Sequence, residues 1–260
     1  MPRPIIVPVL LMLLLAGGQA PAAVQTTAAV EIITFPSVDG LEITADLYAP
    51  HRDKATPLIV LFHQAGWSRG EYTELAPWLN KLGFNCLAVD QRSGHEVNDV
   101  ANATANLAEA EGKGTTYLDA RQDLVAALQY AHGNLATGRV IAWGSSYSAA
   151  LVLVVAGTDP DLIDGVLAFS PGEYFSGLGQ SEHWVTNAAE GITVPVFITS
   201  ARSERDKWKP ILAAVKSQQK ASFVPNTKGN HGSRALWSKF EDSAGYRKAV
   251  VAFLDRYFPR

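Results

Sequence analysis

Ser146 is the residue whose neighbours in the sequence most strongly indicate a catalytic role. It lies in a stretch that reads VIAWGSSYS: an apolar, strand-like run ends in small polar residues, and the helix-like segment 149–153 follows at once. This order predicts a strand, a sharp turn and a helix, with the Ser146 hydroxyl at the tip. Such a turn needs small residues two positions on either side of the serine, where Gly144 and Ser148 stand. A serine hydroxyl becomes a good nucleophile when a base takes its proton and an acid orients that base, so a histidine and a carboxylate are needed elsewhere.

The segment around Ser146 resembles the nucleophile elbow of the α/β-hydrolases, most closely their dienelactone-hydrolase-like and serine-esterase-like members, with Ser148 where glycine is usual. The resemblance covers nearly the whole chain after its N-terminal segment. It implies an α/β-hydrolase fold, with a mainly parallel sheet of about eight strands, helices on both faces and short cap segments. It also implies the chain order serine, acid, histidine, and no metal or organic cofactor. Dienelactone hydrolases usually carry a cysteine at the position of Ser146.

The implied chain order selects His231 as the base. His231 lies in the glycine-flanked loop 228–232 beyond the last predicted strand, whereas the other histidines precede the acid or lie in turns. The acid is either Glu204 or Asp206, both of which follow the predicted strand 194–200. The family pattern P-V-φ-φ-φ-x-G-x-x-D, where φ is apolar, places the carboxylate at Glu204 when it is counted from Pro195. We therefore favour Glu204 and keep Asp206 as the alternative acid; both residues could instead cap the following helix.

A second loop offers backbone N–H groups that could stabilise a negative charge on a carbonyl oxygen. The apolar run 58–62 predicts a strand buried on both faces, and His63, Gln64, Ala65 and Gly66 follow it. In α/β-hydrolases this loop, often written H-G-x-x, supplies one donor of the oxyanion hole. The resemblance implies that the amide of Ala65, or less favourably that of Gln64, pairs with the amide of Tyr147. His63 is expected to orient the loop through a hydrogen bond.

The rest of the chain alternates between strand and helix patterns, which predicts a parallel sheet with helices on both faces. Residues 31–36 and 41–48 alternate apolar and polar side chains around Asp39-Gly40, which predicts an antiparallel hairpin. Residues 84–89 predict a further strand, and Asp90 and Arg92 are expected to form an ion pair within the turn that follows it. The predicted helices cover residues 71–82, 117–131, 149–156, 209–217 and 246–258. Segment 173–191 is expected to form a short cap over the site, with a surface loop that carries incidental aromatic residues as the alternative.

Composition limits the location and the partners of the protein. The 260 residues carry a net charge of −3 and no long basic run, which argues against nucleic-acid binding. Arg3, the apolar run 5–16 and the small residues 17–23 predict a cleaved secretory signal peptide over residues 1–23, followed by a single domain over residues 24–260. We therefore expect an exported protein, periplasmic or secreted, with no stable membrane insertion after cleavage; the alternative for this segment is an uncleaved N-terminal anchor helix. The single cysteine, Cys86, lies in an apolar string and is expected to be buried.

The resemblance favours hydrolysis of carboxylic esters of small to medium size through an acyl-enzyme on Ser146. The sequence contains no long inserted cap, which favours an open and modest pocket for a small-molecule ester. Peptidase-type or lactonase-type hydrolysis stays open, as does a non-catalytic binding protein on the same fold. The oligomeric state is open as well. Candidate pocket-lining side chains are aromatic: Trp67, Tyr117, Tyr174, Phe175 and Trp184.

Overall fold

The computed structural model describes Met1 and residues 30–260, so residues 2–23 of the predicted signal peptide lie outside the described residues. The main sheet has eight strands, which are in spatial order β1 (Glu31–Pro36), β2 (Glu42–Tyr48), β4 (Asn85–Val89), β3 (Leu58–Phe62), β7 (Val140–Ser145), β8 (Gly165–Phe169), β9 (Val196–Thr199) and β10 (Lys220–Phe223). The first strand pairs antiparallel with the second, and the second pairs antiparallel with the fourth, whereas all other pairs are parallel. This architecture confirms the predicted fold class. A small separate hairpin consists of β5 (Glu96–Val97) and β6 (Val100–Ala101).

Helices cover both faces of the sheet because its central strands are apolar on both sides. In β3, Leu58, Val60 and Phe62 belong to one hydrophobic core, and Ile59 and Leu61 belong to the other. Burial of each such side chain stabilises the fold by about 1.5–3 kcal/mol. The first core contains α3 (Arg121–Tyr130), α4 (Tyr147–Thr158), α5 (Trp184–Ala189) and α6 (Arg205–Ala214), and the second contains α1 (Leu75–Lys81) and α7 (Ser243–Tyr257).

Several helix boundaries differ from those that the periodicity predicted. Segment 71–82 divides into a 3₁₀ turn, Arg69–Tyr72, and helix α1. The helix predicted over residues 117–131 starts at Arg121. The segment between β4 and this helix contains a further helix, α2 (Ala103–Ala110), whose N-terminus is capped by the buried side chain of Asn102. Cys86 is buried in β4, as predicted. No helix in residues 30–260 has the length and apolar character needed to cross a membrane.

The predicted ion pair between Asp90 and Arg92 is wrong, because each residue pairs with a different segment of the chain. Asp90 accepts a hydrogen bond from the Arg69 guanidinium at 2.5 Å, and Arg92 pairs with the fully buried Asp123 at 2.7 Å. Arg92 also pairs with Asp39 at 2.8 Å in the turn between β1 and β2. These contacts join the antiparallel hairpin to the parallel part of the sheet and to α3.

Candidate active site

Ser146 lies on a strained turn between β7 and α4. Its φ of 60° is in the left-handed region that non-glycine residues rarely adopt. The turn brings the end of β7 against the first turn of α4: a Cβ on Gly144 would lie 2.4 Å from the Ser148 carbonyl oxygen and 2.6 Å from Ala149 Cα. Glycine is therefore required at position 144, and the strand–turn–helix geometry predicted for this segment is present.

Ser148, which stands where a glycine is usual, fits because its side chain is hydrogen-bonded. Its Oγ lies 2.6 Å from the His63 carbonyl oxygen and 2.9 Å from the carbonyl oxygens of Phe62 and Ser145, and it donates to one of them at a time. The Ser145 amide donates back to the same Oγ at 3.3 Å. This fully buried hydroxyl therefore connects the turn of Ser146 to the end of β3.

His231 connects Ser146 to Glu204. His231 Nε2 lies 2.7 Å from Ser146 Oγ, and His231 Nδ1 lies 2.6 Å from Glu204 Oε1. In the neutral imidazole with the proton on Nδ1, Nδ1–H donates to the carboxylate and Nε2 accepts the Ser146 hydroxyl proton. Burial acts to raise the pKa of Glu204, but the hydrogen bonds from His231 and Ser170 outweigh it, so this pKa lies below its usual value. The carboxylate is thus ionised and placed to stabilise a protonated His231.

Asp206, the alternative acid, does not reach the site. Its side chain is 87% exposed and pairs with Lys209 at 3.2 Å on the surface of α6. Glu204 ends the short 3₁₀ turn Arg202–Glu204, before α6, and its carboxylate contacts His231. Asp206 lies in the first turn of α6, and its carboxylate is on the surface.

Ser170 is a member of this site that sequence reasoning missed. It is fully buried after β8 and has a φ of 60°. Its hydroxyl donates to Glu204 Oε2 at 2.8 Å and accepts from the Gly232 amide at 2.9 Å. Ser170 therefore fixes the second oxygen of the carboxylate and the backbone next to His231. The only signal in the sequence is its position at the carboxyl end of a central strand, where site residues of this fold collect.

Two backbone amides are available for an oxyanion, and Gln64 does not supply one of them. The Gln64 N–H donates to Glu71 Oε2 at 2.8 Å, so the interpretation of the Gln64 amide as an oxyanion donor is wrong. The Ala65 N–H donates to no acceptor within the described part of the chain. The Tyr147 N–H is at the first turn of α4, where backbone donors have no partner inside the helix.

His63 is a structural residue of the same loop. It is fully buried, and burial lowers its pKa to about 4, so the imidazole is neutral. Its Nδ1 donates to the Gln64 carbonyl oxygen at 2.9 Å, and its Nε2 accepts from the Gln91 amide at 3.2 Å. The structure therefore places His63 where it orients the loop, in agreement with the sequence-based interpretation.

The aromatic residues named as pocket candidates have different surroundings. The Tyr174 hydroxyl donates to the Ser170 carbonyl oxygen at 2.7 Å, which places Tyr174 beside the site. Tyr117 stacks on Tyr147 at 4.6 Å between ring centroids, and Trp67 stacks on Trp237 at 5.3 Å. Phe175 is buried in the core, where Trp184 packs on it edge to face at 5.0 Å. Helix α5 of the same segment packs against α4 and α6.

A cavity of about 610 Å³ lies away from Ser146, at the opposite edge of the sheet. Its lining includes Pro57, Arg139 and Asp164, at the amino ends of β3, β7 and β8. It therefore does not contribute to the site. No group of three or more metal-ligating side chains occurs among the described residues.

Comparison with known proteins supports the same fold. Residues 53–177 match the family model described as Hydrolase_4, serine aminopeptidase, S33. The chain is 31% identical over 133 residues to the quorum-quenching protein AidA of Acinetobacter baumannii (strain MDR-ZJ06). That alignment covers 49% of this chain and 39% of AidA, so the chain matches less than half the length of this curated relative.

Solved structures match over most of the chain. The Pyrococcus furiosus esterase Pf2001 is similar with a TM-score of 0.65 and 19% identity, over 88% of this chain and 93% of that chain. A dienelactone hydrolase from Anabaena variabilis is similar with a TM-score of 0.68 and 14% identity, over 89% and 99%. Est1E from Butyrivibrio proteoclasticus, solved with ferulic acid, is similar with a TM-score of 0.64 and 14% identity, over 88% and 100%.

The sheet topology and the similarity to these solved structures show that the chain has the fold of the α/β-hydrolase class. Within that class its fold is similar to the esterase-like and dienelactone-hydrolase-like members, as the sequence predicted.

Proposed function

We propose that the protein is a serine hydrolase that cleaves carboxylic esters of small to medium size through an acyl-enzyme on Ser146. The observation that carries the proposal is the hydrogen-bonded series Ser146–His231–Glu204, with distances of 2.7 Å and 2.6 Å. This arrangement supplies a nucleophile, a base and an acid that orients the base, which is the requirement for acyl transfer to a hydroxyl.

In the proposed reaction, Ser146 Oγ attacks the ester carbonyl carbon and transfers its proton to His231 Nε2. The carbonyl oxygen becomes an oxyanion that accepts hydrogen bonds from the amides of Ala65 and Tyr147, each worth about 3–4 kcal/mol in comparable sites. His231 then gives its proton to the leaving alkoxide, which departs as an alcohol. Water attacks the acyl-enzyme with His231 again as the base, and the carboxylic acid and free Ser146 result.

The test is labelling of purified protein with a fluorophosphonate, followed by intact-mass analysis. We expect one adduct on the wild type, none on Ser146→Ala, and much slower labelling of His231→Ala. Glu204→Gln and Asp206→Asn form a matched pair: ester hydrolysis should fall by roughly 10³–10⁴-fold in Glu204→Gln and stay near wild type in Asp206→Asn. A folded wild type that forms no adduct would refute the mechanism and favour the binding-protein alternative.

A panel of substrates tests the proposed preference for esters against the two alternative activities, hydrolysis of lactones and hydrolysis of peptides. It contains p-nitrophenyl acetate, butyrate and palmitate, a γ-lactone and an aminoacyl p-nitroanilide. The proposal expects the highest kcat/KM on the two shorter esters. The highest kcat/KM on the anilide would instead assign a peptidase, in line with the description of the matching family model, and the highest on the lactone would assign a lactonase.

We also propose that the protein is exported, because residues 1–23 have the composition of a secretory signal peptide. Expression in a bacterial host should yield periplasmic or secreted protein whose N-terminal peptide begins near residues 21–24. Full-length protein recovered only from the cytoplasm would contradict export without affecting the catalytic proposal.

A further inference from the structure

Glu71 is a buried carboxylate next to the site that the proposed mechanism does not use. It lies in the 3₁₀ turn Arg69–Tyr72, and its side chain is fully buried. Glu71 Oε2 accepts from the Gln64 N–H at 2.8 Å, and Oε1 accepts from the Ser145 hydroxyl at 2.7 Å. A buried carboxylate is costly unless hydrogen bonds compensate it, so its presence here calls for a role.

The contacts of Glu71 join the three segments that carry the proposed reacting groups. Gln64 precedes Ala65 in the loop after β3, and Ser145 precedes Ser146 at the end of β7. The Ser145 hydroxyl also accepts from the Ser233 amide at 2.8 Å, two residues after His231. The Trp237 indole, beyond the same histidine loop, donates to the Glu71 carbonyl oxygen at 3.1 Å.

These hydrogen bonds fix the direction of the Ala65 N–H. The Gln64 N–H is held by Glu71, and the Gln64 carbonyl oxygen accepts from His63 Nδ1 at 2.9 Å and from the Trp67 amide at 3.3 Å. In a planar trans peptide the N–H of the next residue points opposite to the carbonyl. The Ala65 N–H therefore points away from His63, and both peptide groups that set its orientation are hydrogen-bonded.

We infer that Glu71 is a positioning residue, which holds the oxyanion donor at Ala65 and the nucleophile turn at Ser145 in register by accepting one hydrogen bond from each segment. This inference rests on the proposed function, because it assigns Ala65 and Ser146 to that reaction. Glu71 acts through Gln64 and Ser145.

The experiment compares four single variants, and the double variant of Glu71→Gln with Ser145→Ala, with the wild type at pH 8. Glu71→Met removes both acceptors at similar volume, and Glu71→Gln keeps an acceptor for Gln64 and offers a donor to Ser145. Ser145→Ala removes one contact without touching the carboxylate. Glu74→Gln is the matched control, since Glu74 lies three residues on and pairs with Arg247 at the surface. The readouts are kcat and KM on p-nitrophenyl butyrate, inhibition by an alkyl trifluoromethyl ketone whose serine adduct carries an oxyanion, and circular dichroism for folding.

A mispositioned oxyanion donor weakens transition-state binding more than substrate binding. We expect kcat to fall about tenfold or more in Glu71→Met, below the roughly 10²–10³-fold cost of deleting a donor outright. KM should change less than about twofold, and the affinity for the trifluoromethyl ketone should fall in parallel with kcat/KM. Glu71→Gln should retain intermediate activity, and Ser145→Ala should lower kcat. Glu71→Gln keeps the acceptor for Gln64, so it and Ser145→Ala both alter the Glu71–Ser145 contact, and their effects should be non-additive in the double variant.

Folded Glu71→Met with wild-type kcat and inhibitor affinity would overturn the inference. If Glu71→Met does not fold, Ser145→Ala decides, and unchanged kcat in that variant overturns it. Lack of fluorophosphonate reactivity in the wild type removes the proposed function itself. A reactive wild type with fully active Glu71 and Ser145 variants removes this inference alone.

Discussion

The burial of Glu71 predicts a specific pH dependence of stability. Burial raises the pKa of Glu71 from 4.5 to about 7, against the opposing hydrogen bonds of Ser145 and Gln64 and the positive charge of Arg234. Between these two values the folded protein binds a proton that the unfolded chain has released. The free energy of unfolding contributed by Glu71 therefore falls as the pH rises through this window.

The magnitude follows from the two pKa values. At about 1.4 kcal/mol for each pH unit, the window from 4.5 to about 7 corresponds to a loss of about 3 kcal/mol by pH 8. Glu71→Gln replaces the titrating group by a neutral one of the same shape, so the variant lacks this loss. The difference in unfolding free energy, variant minus wild type, should increase by about 3 kcal/mol between pH 4.5 and pH 8.

The assay is urea denaturation of both proteins at half-unit pH intervals, with linear extrapolation to zero urea. Other buried acids, such as Asp90 with its pKa raised by burial to about 6, are present in both proteins and cancel in the difference. Glu74→Gln controls for the loss of a carboxylate at the surface. A difference between wild type and Glu71→Gln that stays constant across the pH range would refute the assignment of Glu71 as a costly buried anion.

Three further substitutions test other parts of the structure. Ser170→Ala should lower kcat about tenfold with little change in KM, because Glu204 and the Gly232 amide lose a shared partner; steady-state kinetics checks this, and wild-type kcat would contradict it. Asp123→Asn should cost about 3 kcal/mol in urea denaturation, since it removes a buried charge partner of Arg92; a cost near zero would show that Asp39 alone suffices. Gly144→Ala should not accumulate as folded protein, because its Cβ would overlap Ser148; circular dichroism of soluble protein checks this, and a native spectrum would contradict it.

Much of the fold, and the proximity of Ser146, His231 and Glu204 in the site, could be predicted from the sequence. Parallel strands end at one edge of the sheet, so residues that follow different strands meet there although they are far apart in the chain. The structure brings Ser146, Glu204 and His231 together in this way. The prediction depended on short local patterns, a turn of small residues and a spacing from Pro195, together with chain order.

The remaining contacts could not be predicted because no local pattern encodes them. Ser170 contacts Glu204, 34 residues away in the chain, and Glu71 contacts Ser145, 74 residues away. The sequence keeps the Gln64 amide as the less favoured alternative to the Ala65 amide, because no sequence pattern shows that Glu71 accepts its hydrogen bond. Asp90 and Arg92 are neighbours in the chain, yet each satisfies its buried charge with a distant partner, Arg69 or Asp123.

The buried hydroxyl of Ser148 has a consequence for how the site can change during evolution. It connects the helix that presents the Tyr147 amide to the strand end that leads to Ala65, so the two proposed oxyanion donors belong to one hydrogen-bonded unit. Glu204 and His231 come from two other loops, outside that unit. Insertions or substitutions in those two loops can therefore change the positions of Glu204 and His231 while the separation of the Ala65 and Tyr147 amides is preserved.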